Sequence, residues 1–336
     1  MFSVASIIAH LFRRCRIVPS GTVGCCHVEG LMTVCNQTAL LEMVKSAIPP
    51  LSTSYYKGQA GRVGAVGGSL EYTGAPYFAA ISALKVGADL SHVFCSSEAA
   101  AAIKSYSPEL IVHPLLDNRS NEFEFWLPRL HSLVVGPGLG REDSIMNVVT
   151  DIITQAKKRN LPIVIDADGL YLVTKQPDII EGYKRAILTP NKMEFIRLYE
   201  KMFGKKPSPE ASVVEVKSLC EKLGNVTICH KGQNDIISDG KNVLVCCEEG
   251  SLRRCGGQGD LLSGSMGIFT HWTHQLDQQT THNDLLKSCG PSLCAAYAAC
   301  LLTRRCSKLA FQQHRRSMTT SDMIAVIQQA FEELYL

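Results

Sequence analysis

The sequence predicts an α/β fold in which helices cover both faces of a mainly parallel sheet. From about residue 56 onward, short β-rich runs alternate with segments of helical period. These runs are apolar on consecutive residues, as is typical of strands buried on both faces. Several of them end in a loop rich in glycine or polar residues. A chain of 336 residues, 46% of them hydrophobic, is long enough to bury such a core.

The strands are predicted at residues 63–66, 93–95, 110–112, 133–135, 163–165 and 187–188. Helices are predicted at 75–86, 144–158, 192–202 and 213–223, with later ones after Asp260, at 292–302 and following a cap at 319–322. Strand–helix–strand crossovers have a fixed hand, so the carboxyl ends of parallel strands meet at one edge of the sheet. Ligands of open α/β sheets bind at that edge.

The balance of charge argues against several classes of partner, and the spacing of the cysteines indicates their redox state. Lys plus Arg number 34 and Asp plus Glu 31, a net charge of +3, which is too balanced to predict binding to nucleic acid or an anionic membrane. We expect small-molecule ligands and no nucleic-acid or membrane partner, and a homo-oligomer is a further expectation. The 14 cysteines include no Cys-x-x-Cys pair, so we interpret them as reduced thiols.

Residues 1–28 have the composition of an organellar transit peptide. They contain Arg13, Arg14 and Arg16 and no acidic residue before Glu29. The short apolar patch at 4–12 precedes these arginines, whereas a secretory signal places its positive charge first. We therefore predict a targeting peptide or disordered tail at 1–30 and a single catalytic domain at 38–336. Mitochondrial localisation is expected, with a cytoplasmic pool as a second expectation.

A glycine-rich stretch at residues 253–264 is the first candidate site. Gly256, Gly257 and Gly259 lead directly into Asp260 and a helical pattern. Glycines allow a ligand to approach the main chain closely, and a helix start offers N–H groups and the positive end of a dipole. Asp260 can be a catalytic carboxylate at this anion site or an ordinary helix N-cap.

Other polar residues follow the predicted strands. Asn191 and Glu194 lie three residues apart at a helix start, where they can hold hydrated Mg²⁺ or form a capping box. Asp166 and Asp168 flank a turn, where they can bind substrate or hydrogen-bond their own loop. Lys231 follows an apolar strand and can meet a phosphate or be solvated.

The glycine patterns do not fit two common nucleotide-binding motifs. The glycines from Gly61 to Gly68 have the wrong intervals for G-x-G-x-x-G, and Gly136 and Gly138 are followed by Gly140 and Arg141. No glycine run ends in Gly-Lys-Ser or Gly-Lys-Thr, so a P-loop is absent from the sequence. Bound ATP would need another phosphate cradle.

In combination, the motifs resemble those of the ATP-dependent NAD(P)H-hydrate dehydratase family, which has a ribokinase-like fold. The resemblance runs from about Lys57 to the C-terminal helix. It rests on Lys57-Gly58-Gln59 with Gly61-Arg62, Glu71-Tyr72-Thr73-Gly74-Ala75-Pro76-Tyr77, Val134-Val135-Gly136-Pro137-Gly138-Leu139-Gly140-Arg141, Asp166-Ala167-Asp168-Gly169-Leu170, Thr189-Pro190-Asn191 with Glu194-Phe195, Lys231-Gly232, and Gly256-Gly257-Gln258-Gly259-Asp260.

The resemblance implies a three-layer ribokinase-like domain and a repair reaction. In that reaction, ATP drives the loss of water from NADH or NADPH hydrated at position 6 of the nicotinamide ring. It also implies two sets of contacts. The hydrate would contact Gly138, Asp260 and the segment Asn191, Lys192, Met193, Glu194, Phe195, Ile196, Arg197. ATP would contact Lys231, Gly232, Gln233, Asn234, Asp235 and Gly250, Ser251, Leu252, Arg253, Arg254, Cys255, Gly256, Gly257, Gln258, Gly259.

These assignments give Asp260 and its glycines catalytic roles. Asp260, ionised at neutral pH on an ordinary pKa of about 3.9, would accept the proton of the ring hydroxyl as phosphorus is attacked. The N–H groups of residues 257–259, with Gly257 and Gly259 at either end, would stabilise charge on the transferring phosphoryl group. Mg²⁺ would lie near Asn191 and Glu194 through water. A small-molecule kinase of the same superfamily and a catalytically silent nucleotide-binding protein are the alternatives.

Overall fold

The computed structural model describes residues 25–28, 31–34, 37–117, 120–277 and 283–336. Residues 1–24, most of the predicted targeting segment, lie outside this part of the chain. No helix in the described ranges combines the length and apolar character needed to cross a membrane. Every cysteine side chain that the structure describes is a free thiol.

One 11-stranded sheet organises the molecule, in the order β1-β2-β11-β10-β9-β8-β7-β6-β3-β4-β5. Strands β3 to β9 are joined by parallel pairs, whereas β10 is antiparallel to both β9 and β11. The strands are β1 Cys25–Val28, β2 Leu31–Val34, β3 Arg62–Val66, β4 Leu90–Cys95, β5 Ile111–Pro114, β6 Ser132–Val135, β7 Ile163–Ile165, β8 Ala186–Leu188, β9 Thr227–His230, β10 Asp235–Ser238 and β11 Asn242–Cys246.

Thirteen α-helices are described around this sheet. They are α1 Gln37–Ala47, α2 Gly74–Val86, α3 Ser97–Tyr106, α4 Ser120–Trp126, α5 Asp143–Lys158, α6 Asp168–Lys175, α7 Lys192–Phe203, α8 Val213–Lys222, α9 Gln258–Asp277, α10 Asp284–Cys289, α11 Pro291–His314, α12 Thr320–Ala325 and α13 Ile327–Tyr335.

Side-chain alternation along β3 explains the three layers. Val63 packs into a core with α1, α2 and α9 to α13, whereas Val66 packs into a second core with α4 to α8. Both residues are fully buried, which is why strands of this sheet are apolar on consecutive positions. The mainly parallel α/β fold predicted from those runs is confirmed.

Two short strands lie near the predicted N-terminal boundary. Strand β1 lies inside the segment assigned to a targeting peptide or tail, and β2 begins before residue 38. The two pair with each other, and β2 adds to β11 in parallel register. The targeting segment at 1–30 and the domain limits at 38–336 stay predictions, because charge composition, from which the segment was predicted, carries no information on strand pairing.

Helix α9 lies against the sheet and close to α2. A methyl group on Gly264 would overlap the carbonyl oxygen of Ala79 in α2, and one on Gly267 would lie 2.8 Å from Val134. Glycine at these two positions allows the helix backbone to pack closely on both neighbours. This packing fixes the first turn of α9, and Asp260 with it, at the edge of the sheet.

Candidate active site

The carboxyl ends of β7, β8 and β9 bring together a buried ion pair. Lys231 Nζ donates to Asp166 Oδ1 at 2.7 Å, and Thr189 Oγ1 donates to the same oxygen at 2.8 Å. The Asp166 side chain is only 3% exposed, and Lys231 is 22% exposed. Burial lowers the pKa of Lys231, but the Asp166 and Glu194 charges outweigh it, so the net pKa is raised. Lys231 is therefore a held cation rather than a solvated side chain.

Asp260 lies in the first turn of α9, directly beside this pair. A methyl group on the neighbouring Gly259 would be 3.5 Å from both Lys231 Nζ and Asp166 Oδ2. Burial, followed by the Asp166 charge, raises the pKa of Asp260 to about 8, while Lys231 acts in the opposite direction. The ordinary pKa assumed from the sequence is therefore wrong for this carboxyl group, because its surroundings remove water and place a second carboxylate nearby.

The glycine loop before Asp260 has the backbone geometry expected of an anion site. Gly257 has φ of 92°, a conformation that side chains rarely adopt, and its carbonyl accepts from Leu261 N at 3.0 Å. The first N–H groups of α9 have no acceptor within the helix and point out of its positive end. Thr320 Oγ1 donates to Gly256 O at 2.6 Å and holds the loop from the opposite side.

Arg304 of α11 organises the loop from Lys231 to Asp235. Its Nε donates to Asp235 Oδ2 at 2.6 Å and its NH2 to Asp235 Oδ1 at 2.8 Å. The same guanidinium donates to the carbonyls of Gly232, Gln233 and Glu248. Gly232 N also donates to Asp235 Oδ1, so Asp235 is a buried structural anion and not a free ligand group.

The segment 250–259 is held mainly by side-chain hydrogen bonds. Ser251 is buried and shares a 2.7 Å hydrogen bond with Ser307 of α11. Arg254 NH1 donates to Ser251 O, and Gln258 Nε2 donates to Arg253 O. Leu252 is 93% exposed. The segment thus runs along the surface from α11 to the start of α9, with its backbone fixed at both ends.

Asn191 and Glu194 form the capping box of α7. Asn191 Oδ1 accepts from Met193 N and Glu194 N, while Glu194 Oε2 accepts from Asn191 N at 2.8 Å. Two hydrogen bonds occupy both acceptor positions of the Asn191 amide oxygen. Burial raises the pKa of Glu194, and Lys231 lowers it. Of the predicted metal pair, Glu194 keeps a second carboxylate oxygen for a ligand, whereas Asn191 serves to position it.

The other residues predicted to contact the hydrate are divided between core and surface. Phe195 is fully buried, and its ring packs edge-on against His230 at 4.7 Å, so its side chain cannot reach a ligand. Ile196 is half-buried. Met193 is 54% exposed, and Lys192 pairs with Glu210 at 3.0 Å.

Gly138 and Asp168 shape the loop after β6. Gly138 has φ of 60°, and a methyl group there would be 2.6 Å from Tyr72 O, so this loop packs directly on the segment before α2. Asp168 accepts from Gly140 N at 3.1 Å and Arg141 Nε at 2.9 Å. Its carboxylate thus supports the neighbouring loop, unlike Asp166, which joins the ion pair.

A groove of about 350 Å³ opens beside Glu194, between α6 and α7. Tyr171 and Glu194 line this groove together with four cationic side chains. The cations are Arg141, Lys175, Arg197 and Lys201.

Sequence reasoning missed the residues that act on this site from a distance in the chain. Thr189 was quoted only within a motif of the family resemblance, and its hydrogen bond to Asp166 depends on the adjacency of β7 and β8. Arg304 lies in the middle of α11, 69 positions from Asp235, where no local pattern distinguishes it from a solvated arginine. A charged residue on the buried part of an apolar helix was the available signal.

Comparison with known proteins assigns the family. The sequence profile of a family described as NAD(P)H-hydrate dehydratase matches residues 63–329. A Homo sapiens protein named ATP-dependent (S)-NAD(P)H-hydrate dehydratase is 57% identical over 297 residues, covering 88% of this chain and 84% of its own. A Danio rerio protein with the same name is 56% identical over 298 residues, covering 88% of this chain and 89% of its own.

Solved structures share the fold. A hypothetical protein from Streptococcus mutans superimposes with a TM-score of 0.72 at 22% identity, covering 88% of this chain and 99% of its own. An ADP/ATP-dependent NAD(P)H-hydrate dehydratase from Bacillus subtilis, co-crystallised with ATP and Mg²⁺, has a TM-score of 0.64 at 18% identity. The superposition covers 88% of this chain and 97% of the Bacillus subtilis chain. With the profile match and the 57% identity, this chain belongs to the NAD(P)H-hydrate dehydratase family, on a ribokinase-like fold.

Proposed function

We propose that this chain catalyses the ATP-dependent dehydration of NADH and NADPH that have been hydrated at position 6 of the nicotinamide ring. The observation that carries the proposal is Asp260, a carboxyl group with a pKa of about 8 at the glycine-rich start of a helix, beside a held lysine. Membership of a family whose relatives are named ATP-dependent (S)-NAD(P)H-hydrate dehydratase supports the substrate.

The reaction divides into a phosphoryl transfer and an elimination. The ring hydroxyl oxygen attacks the γ-phosphorus of ATP, its proton passes to Asp260, and ADP leaves. The C–O bond then breaks with its electron pair on phosphate, and the adjacent ring carbon gives its proton to the departing phosphate, which restores the double bond. Asp260 is a stronger base than an ordinary carboxylate because its pKa is raised to about 8.

Lys231 and the first turn of α9 would stabilise charge during the transfer. The N–H groups of residues 257–259 lie at the positive end of α9, where a phosphoryl group gains most from fixed dipoles. Lys231 is held by Asp166, so its charge is already oriented before the ligands bind. It also lowers the pKa of Asp260, which keeps a fraction of this base ionised.

We infer that Mg²⁺ would be held at this site with Glu194 as its protein contact. The donors near the ion pair are carboxylate oxygens, the ligand type that Mg²⁺ prefers, and one Glu194 oxygen is outside the capping box. When bound, the ion would neutralise charge on the ATP phosphates. Asn191 would orient Glu194 and not contact the ion, which refines the pair predicted from the sequence.

The decisive experiment incubates purified protein with chemically hydrated NADH, with and without ATP and Mg²⁺. We expect ATP-dependent recovery of dihydronicotinamide absorbance, one ADP and one free phosphate for each NADH restored. A stable phosphorylated product without recovery of absorbance would instead indicate the small-molecule kinase. No ATP turnover would indicate a silent nucleotide-binding protein.

Variants test the role of Asp260. Asp260→Asn should abolish ATP-dependent recovery while the fold is retained. Asp151→Asn, which removes an exposed carboxylate in α5, is the matched control and should keep wild-type activity. Near-normal turnover by Asp260→Asn would overturn the proposed base.

Mitochondrial localisation is the second part of this proposal and rests on the composition of residues 1–28. Fusion of residues 1–36 to a fluorescent reporter should direct the reporter to mitochondria, and a diffuse cytoplasmic signal would contradict import. Sedimentation of the purified chain tests the expected homo-oligomer.

A further inference from the structure

The glycine loop before α9 is anchored through one peptide unit, which joins Gly256 to Gly257. Thr320 Oγ1 donates to Gly256 O at 2.6 Å. Thr320 is only 2% exposed, so water competes little for this hydrogen bond. Within the described ranges, Gly256 O accepts from no second donor. The orientation of this peptide therefore depends on a single hydroxyl group.

Holding the carbonyl of this peptide also fixes its N–H group. The bond between Gly256 and Gly257 is trans and planar, so the Gly256 C=O and the Gly257 N–H point in opposite directions. With the carbonyl turned toward Thr320, the N–H points away from α12. In the described part of the chain, Gly257 N has no acceptor. It is available to an anion at the positive end of α9.

The glycine loop has little of its own to keep this orientation. Glycine on both sides of a peptide lets the peptide turn over at low energetic cost. A methyl group on Gly256 would meet no atom within 4 Å, so packing does not restrain that residue. In the reversed orientation, the Gly256 carbonyl oxygen would present its partial negative charge to a phosphoryl group. An anchor on this carbonyl therefore decides whether the loop attracts or repels an anion.

Thr320 is itself fixed at the start of α12. Asp322 Oδ2 accepts from Thr319 N at 2.7 Å and from Thr319 Oγ1 at 2.8 Å, which caps this helix. A methyl group on Gly257 would lie 2.8 Å from the Phe78 ring and 2.9 Å from Thr320 Oγ1, so the loop lies between α2 and α12. The hydroxyl is thus in place before any ligand binds.

We propose that Thr320 is a positioning residue of the reaction, whose hydroxyl keeps the Gly257 N–H directed at the transferring phosphoryl group. The inference rests on the proposed function, because the N–H groups of residues 257–259 are taken as the phosphoryl site. Thr320 acts through the backbone without contacting a ligand. Its contribution is largest in the transition state, where an oriented donor stabilises the charge that develops on phosphoryl oxygens.

Thr320→Val tests the hydroxyl, because it replaces the donor with a methyl group of similar size. We expect kcat for the NADH hydrate to fall roughly tenfold, less than for outright loss of an oxyanion donor, because the N–H is misdirected for only part of the time. Thr320→Ser keeps the donor and should stay close to wild type. Thr150→Val is the matched control, since Thr150 Oγ1 donates to Met146 O at 2.8 Å within α5.

Binding of a phosphoryl mimic separates positioning from a general loss of folded enzyme. ADP with Mg²⁺ and aluminium fluoride imitates the transferring phosphoryl group, whereas ADP alone does not. Calorimetric titration should show the affinity of Thr320→Val for the mimic reduced roughly tenfold and its affinity for ADP unchanged. Loss of folded protein would instead lower the binding stoichiometry for both ligands and leave both affinities as in wild type.

Three outcomes overturn the inference. They are an unchanged affinity of Thr320→Val for the mimic, equal losses in Thr320→Val and Thr320→Ser, and a wild type that binds the mimic no more tightly than ADP. Failure of the proposed reaction is a different result, in which wild type binds the mimic tightly but restores no NADH from its hydrate.

Discussion

Two requirements oppose each other at Asp260. Burial beside Asp166 makes its carboxylate a better base, but it also makes the ionised form costly in the folded protein. The pKa is about 8 in the folded state and near 3.9 in an unfolded chain. Above about pH 4, where the unfolded chain holds this carboxyl group ionised, folding therefore carries a free-energy penalty.

Asp260→Asn should therefore stabilise the fold at neutral pH. We expect a gain of ~4 kcal/mol in the free energy of unfolding near pH 7, because wild type must take up a proton on folding at that pH and the variant need not. The gain should be largest above pH 8, shrink as pH falls, and vanish below about pH 4, where Asp260 is protonated in both states.

Denaturant titrations of wild type and Asp260→Asn across this pH range measure the effect. Asp151→Asn is the control and should leave stability unchanged throughout. A variant less stable than wild type at pH 8 would contradict the assigned burial.

Asp166 should control the pH dependence of the reaction. Its charge raises the pKa of Asp260, so Asp166→Asn should move the acidic limb of the kcat/KM profile to lower pH by about one unit. Lys231→Met should move it the opposite way, because the lysine lowers that pKa. Profiles measured under saturating ATP test both, and shifts of the same sign in the two variants would refute the coupling.

Among the secondary-structure elements, helix α11 fixes the distant turn between strands β9 and β10. Arg304 holds the turn between β9 and β10 through Asp235 and two carbonyls. Since removal of one partner of a buried pair leaves an uncompensated charge, Arg304→Met should cost ~3 kcal/mol in stability. It should also raise KM for ATP about tenfold if the turn binds ATP, because the loop is no longer preorganised.

Arg159→Met, which removes an exposed arginine at the end of α5, provides the comparison for Arg304→Met. Steady-state kinetics with ATP as the varied substrate and thermal melts separate the two effects. A normal KM for ATP in the Arg304 variant would show that this turn does not contribute to ATP binding.

The contact between α9 and α2 should resist any added side chain. Gly264→Ala would ordinarily stabilise a helix by about 1 kcal/mol, but here its methyl group overlaps Ala79 O. We expect a net loss of ~2 kcal/mol in stability. Gly74→Ala, where the new methyl group meets only Phe78 at 3.8 Å, is the control and should be close to neutral.

The elements differ in how far the sequence could predict them. Strands such as β6 and β7 were predicted because both of their faces are buried, which leaves a continuous apolar run. Helix α3 was not predicted because the consecutive alanines at 99–102 show no alternation of polar and apolar residues from which a helical period could be recognised. The hairpin of β10 and β11 was missed because only pairing distinguishes its strands from a loop after a motif.

At the scale of the whole molecule, the site joins elements distant in the chain. Asp166 and Lys231 each follow a parallel strand, and the first turn of α9 places Asp260 at the same edge of the sheet. What no motif could give is their mutual distance. The pKa of Asp260 and the role of Arg304 both depend on that packing.

Ligand binding should therefore stabilise the molecule as a unit. ATP at one hundred times its dissociation constant should add ~2.7 kcal/mol to the free energy of unfolding in a single transition. Denaturant unfolding of Asp260→Asn with and without ATP avoids turnover during the measurement. A biphasic unfolding transition would contradict cooperative unfolding of the molecule as one unit. An unchanged free energy of unfolding at that ATP concentration would contradict ATP binding to the folded state.

The pKa of Asp260 would also make repair depend on the pH of its surroundings. With a pKa of about 8, this carboxyl group ionises progressively as the pH rises above neutral. An enzyme that depends on this anion would clear damaged cofactor several times faster in an alkaline compartment than in a neutral one. The same polypeptide in two compartments would then repair at two different rates without any regulator.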